Sequence, residues 1–156
     1  MNNYKTMPLR KWFEDRIRSS TSVAQESLKQ QMKKLEEIGW DLDKPIFDNM
    51  RETLKKLDKD QREAYIVSIA YLWTSPEFIS NSLYEIKYEE LEKFKANILD
   101  EAAEAKQFFK DLARECDVEI PEDALEKIVE INKQNSLRIV DEHIKGRKPA
   151  SYGFIV

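Results

Sequence analysis

The only histidine of this chain, His143, follows Arg138 by five residues in SLRIVDEHIKGR. An imidazole titrates near neutral pH and can pass a proton, and a guanidinium can steady a phosphate through paired hydrogen bonds. Residues five apart on a regular helix point about 140° away from each other. A straight helix therefore does not bring the pair together. A second set of titratable groups is Asp100, Glu101 and Glu104, with one Glu-x-x-Glu step. Hard cations want several oxygen ligands. The helix expected to face these carboxylates offers Ser68, Ile69, Ala70 and Tyr71 where ligands would be needed. Di-iron bundles use two Glu-x-x-His motifs, and no glutamate stands three before His143. The reading therefore assigns no metal and no cofactor, and the carboxylates are expected on a solvated acidic face. Three scattered glycines exclude a glycine-rich phosphate loop. A single cysteine, Cys116, forms no internal disulfide and is expected to be a small buried residue.

Two partial resemblances go with these residues. Arg138 and His143 resemble the Arg-x4–6-His signature of the HEPN helical ribonucleases. That resemblance implies a metal-independent ribonuclease of the toxin or phage-defence kind, with His143 on the ribose 2′-hydroxyl proton and Arg138 on the phosphate. Ile139 stands where that family usually has a polar residue, and no helix follows the motif. The stretch from Glu101 through DVEIPEDALEKIVEINKQN resembles the second half of the all-α nucleoside triphosphate pyrophosphohydrolases. It implies a degenerate relative of those magnesium enzymes, because the first carboxylate motif is missing from 60–74.

The elements that would position these groups are helices. Pro8, Pro45, Pro76 and Pro121 each precede an amphipathic segment, where a residue without an N–H can open a helix. Gly39 and Gly146 follow helical segments, where positive φ closes a last turn. Leu9, Trp12, Phe13 and Ile17 share one face. Val23, Leu28, Met32 and Leu35 are expected to face inward on a second helix, and Trp40 and Leu42 to pack back over its end. Pro45 opens a third helix with Ile46, Met50, Leu54 and Leu57. Asp60 and Glu63 read as a capping box for a fourth. That helix contains AYIVSIAYLW, apolar nearly all round, which predicts a central element covered on several sides. Phe78, Ile79, Leu83 and Ile86 follow. From Leu91 to Cys116 apolar residues recur at steps of three and four, and the step of five from Ile86 to Leu91 predicts a break near Lys87–Glu90. A last helix carries Leu125, Val129, Leu137 and Val140, with a polar middle, NKQNS.

The fold expected is an all-α helical bundle. It is built on a long antiparallel hairpin, about 89–116 and 122–145, with shorter N-terminal helices packed on it. It forms a single domain over 1–148 with an apolar C-terminal tail, 149–156. The chain has 156 residues, 41% hydrophobic and 36% charged, with a formal net charge of −4. Mixed signs at that hydrophobicity fit a folded protein. Residues 1–18 and 133–148 each hold five basic and two acidic side chains, so the ends offer a surface to nucleic acid. One cysteine and a polar start, MNNYKTMPLRKW, predict a cytoplasmic protein with no membrane span. The function expected is non-enzymatic: binding or regulation through protein–protein contacts or self-association. Tyr84, Tyr88, Phe108, Tyr152 and Phe154 are the candidate contact residues.

Overall fold

A computed structural model describes residues 4–20, 22–76, 83 and 86–147. It is an all-α protein: the described residues form six α-helices and no strand. They are α1 (Leu9–Arg18), α2 (Ser22–Glu37), α3 (Ile46–Lys55), α4 (Lys59–Trp73), α5 (Leu91–Glu115) and α6 (Glu122–Arg147). The chain divides into two compact units, Met1–Asp58 and Lys59–Val156.

In the first unit the prolines sit at the N-cap. Pro8 and Pro45 hold extended ψ values of 138° and 159° immediately before α1 and α3. Neither proline has a side-chain acceptor, so the first helical N–H groups bond to distant carbonyls instead. Leu9 and Arg10 N–H donate to Lys44 O and Leu42 O, and Phe47 N–H donates to Tyr4 O. The loop between α2 and α3 must therefore be held in place, and Asn49 holds it. Its Oδ1 accepts from Asp41 N–H at 2.8 Å, and its Nδ2 donates to Asp41 O at 2.9 Å. Leu9, Phe13 and Leu42 form the buried centre, with Trp12, Leu28, Met32, Leu35 and Trp40 packed against it. Val23 does not face inward as its apolar type suggested: it is 80% exposed. It stands five residues before Leu28, so it points about 140° off the packed stripe.

Helix α2 ends as its glycine predicts. Gly39 has φ +95°, Gly39 N–H donates to Glu36 O, and Trp40 N–H donates back to Leu35 O at 3.0 Å. This is a Schellman closure, with Trp40 and Leu35 in the same apolar cluster. The end of α5 repeats it without a glycine. Asp117 takes φ 55°, and Val118 N–H donates to Ala113 O at 2.8 Å. An L-residue in that region costs about 1 kcal/mol. Asp117→Gly is therefore expected to stabilise the protein by about 0.5–1 kcal/mol, and Gly39→Ala to destabilise it by about 1 kcal/mol. Urea denaturation measures both, and equal midpoints for the two variants would contradict the assignment. Gly146, by contrast, lies inside α6 and closes nothing.

In the second unit, Lys87 is extended and a 3-10 turn spans Tyr88–Glu90, so the chain breaks where the step of five predicted. Helix α4 starts at Lys59, which places Asp60 inside its first turn. There a carboxylate favours the positive helix end without being the cap. Along α5 and α6, Lys95 pairs with Asp141 at 2.8 Å and Lys110 with Glu126 at 3.1 Å. The α5 number rises as the α6 number falls, the order of antiparallel neighbours. Ile98, Phe109, Leu112, Leu125, Val129 and Val140 are buried, while Phe94 and Leu137 are half-buried. Cys116 is buried and free.

Candidate interaction surface

Helix α4 is fastened along one side only. Ile66 and Ala70 are its buried residues. At its start, Arg62 Nη1 donates to Cys116 O at 3.1 Å. At its end, Trp73 Nε1 donates to Glu101 Oε1 at 2.9 Å. The Trp73 ring lies 5.2 Å from Phe108 and 5.5 Å from Phe109, in tilted and edge-on contacts that aromatic quadrupoles favour. Asn132 on α6 completes the attachment. Its Nδ2 donates to Tyr71 O at 3.0 Å and to Thr74 Oγ1 at 2.9 Å. Ser75 N–H turns to Leu72 O, so Tyr71 O receives its hydrogen bond from Asn132 instead of from the next turn of its own helix.

Gln61, Ala64, Ser68, Tyr71 and Leu72 are exposed, Tyr71 by 52% and Leu72 by 50%. Ile131 on α6, next to Asn132, is 59% exposed. This departs from the expectation that an all-round apolar helix is covered on several sides. Among the described elements of its unit, α5 and α6 are the main neighbours of α4, and both pack on the side that carries Ile66 and Ala70. From Ala64 to Ser75 no residue carries a charge. Tyr65, beside the stripe, has its phenol pushed above 10.0 by burial.

The residues that sequence chemistry singled out lie elsewhere. Arg138 is exposed, and its Nη1 meets Glu142 Oε1 at 3.5 Å. His143 is half-buried on the same unbroken helix, so within one chain the two side chains leave the axis about 140° apart. Glu101 and Glu104 are half-buried, not on a solvated face: the first accepts the Trp73 indole, and Glu104 Oε2 is buried without a hydrogen-bond partner. Among the described residues no three His, Cys, Asp or Glu side chains are placed to hold a metal ion. The basic groups of α1 are largely spent inside its own unit. Arg10 meets Asp43 at 3.2 Å, Lys11 and Arg18 both meet Asp15, and Arg16 lies 4.2 Å over the Trp12 ring. The Lys11 hydrogen bond, with Arg18 beside it, holds the Asp15 carboxyl below its usual value.

No family model, curated protein or solved structure matches this chain. No described helix is long and apolar enough to cross a membrane.

Of the candidate contact residues, Phe108 is 3% exposed and lies edge-on to Phe109 with ring centres 5.1 Å apart, so it is part of the core. Tyr88 is half-buried against the Leu83, Leu91, Ile98 and Val140 cluster. Tyr84, Tyr152 and Phe154 lie outside the described residues, as do Phe78 and Ile79. The sequence reading missed Asn49, Asn132 and the outer face of α4. For α4 the signal was available: an uncharged twelve-residue run with the small residues Ala64 and Ser68 four apart.

Proposed function

We propose that this chain is a helical binding protein that works through protein–protein contacts in the cytoplasm, with the outer stripe of α4 as the contact face. One observation carries the reading. Tyr71 and Leu72 are half exposed on a helix that has no charge from Ala64 to Ser75, and Ile131 stands exposed beside its C-terminal attachment. In a chain that is 36% charged, an uncharged exposed helix face is the exception. Contiguous apolar surface of that kind marks a place where another protein excludes water. The stripe also stands on a rigid base, because Trp73 and Asn132 hold its C-terminal end and Arg62 its start. A rigid face loses little conformational entropy on binding. The lone buried thiol needs no oxidising compartment, which fits the cytoplasmic setting.

A photo-crosslinking side chain at Leu72 tests the reading in cells expressing the protein, with one at exposed Gln134 as control. A discrete adduct of defined mass from position 72, absent from position 134, is the expected result. No adduct from either position, or the same smear from both, would overturn it.

A further inference from the structure

We infer that the occupant of the α4 stripe is the α4 stripe of a second copy of this chain, packed antiparallel about a two-fold axis at Ser68. The inference rests on the protein-contact reading above and names its partner. Two properties of the stripe lead to it.

The first is charge. A partner helix with charged side chains facing Ala64–Ser75 would bury them opposite nothing that could pair with them, which is costly. The partner face must itself be uncharged. A second copy meets that condition at the outward positions: with the axis at Ser68, Ala64, Ser68 and Leu72 fall level with Leu72, Ser68 and Ala64 of the partner.

The second is shape. The stripe is small at one end, Ala64, and large at the other, Tyr71 and Leu72, with the small Ser68 midway. Ala64 and Leu72 each lie four residues from Ser68, on the same side of the helix. A two-fold axis at Ser68 therefore sets Leu72 of one copy over Ala64 of the other, and the reverse. At Leu72 bulk meets the Ala64 gap twice, the self-complementarity an isologous contact needs, while Tyr71 falls level with Tyr65 of the partner. A parallel arrangement would set Leu72 against Leu72 and leave the Ala64 ends apart.

Sedimentation equilibrium of the full chain over a concentration series tests this, with circular dichroism checking that each variant keeps its helices. Wild type is expected to show a reversible monomer–dimer equilibrium. Ala64→Leu and Leu72→Ala are each expected to weaken it at least ten-fold, the first by filling the gap and the second by emptying it. The double variant carries both changes and restores the match, so it is expected to recover most of the loss. All these positions are exposed in a single chain, so the substitutions leave the core intact. A wild type that stays monomeric throughout overturns the inference, and so does a double variant no better than the sum of the two single ones. Photo-crosslinking at position 72 separates the two levels of the account. A monomer whose position 72 still forms an adduct with a different protein overturns the second copy as occupant and keeps the contact face. A monomer with no adduct overturns both.

Discussion

Replacing Phe109 with alanine is expected to lower the unfolding free energy by about 3–5 kcal/mol, the range for a large core aromatic. Phe109 is fully buried, at 0% exposure. Two rings lean on it, Trp73 at 5.5 Å and Phe108 at 5.1 Å, and α4 reaches α5 through the first of them. The surroundings of a deleted core ring relax only in part, so a cavity cost adds to the lost burial. The loss is large beside the ~5–15 kcal/mol that holds a typical domain together. Urea denaturation followed by circular dichroism measures it. A loss below about 1 kcal/mol would show that the three-ring cluster is not a centre of the core.

The second large effect is expected at Asn132. Asn132→Leu keeps the volume near that of the amide and removes the donor. Tyr71 O and Thr74 Oγ1 then lose the hydrogen bonds they receive from α6. Asn132 itself is 3% exposed, so water has little access to replace it. An unmade hydrogen bond at a buried polar group costs about 1–3 kcal/mol. Gln134→Leu, two residues on and exposed, is expected to change stability by no more than about 0.5 kcal/mol. Equal effects at 132 and 134 in the same denaturation assay would refute the capping role. The end of α4 should also loosen, read as faster amide exchange at Thr74 and Ser75 in Asn132→Leu than in wild type.

The sequence was most legible where spacing alone decides the outcome. The break before Leu91 follows from a single step of five, and the 3-10 turn at Tyr88–Glu90 lies there. Gly39 marked the end of α2 because only a positive φ closes that turn without strain. The same closure at Asp117 was hidden, since aspartate advertises no such conformation; its capacity to enter the left-handed region is shared with many loop residues. Asn49 and Asn132 were unreadable for a different reason. An asparagine in a helix reads as polar surface, and only tertiary contact reveals that one pins the Asp41 backbone and the other the end of α4.

The site was harder still. Arg138 and His143 drew attention by residue type, yet five helical steps separate their directions and Arg138 meets Glu142. Phe108 drew attention as an aromatic near a seam, and the seam took it inside. The α4 stripe passed for core because its apolar residues continue all round the helix. How many neighbours cover such a helix is a property of the packed unit, which the periodicity of one segment does not contain.

The central claim is that the outer stripe of α4 is covered by protein when the molecule is at work. Thiol labelling measures that cover directly. The native Cys116 is buried and contributes little signal, so a Ser68→Cys variant reports one exposed position in the middle of the stripe. Gln134→Cys serves as the uncovered control. The account predicts that maleimide labels position 68 at least ten-fold more slowly in intact cells than in the dilute purified protein, relative to position 134 under each condition. Equal relative rates in the two settings would contradict it.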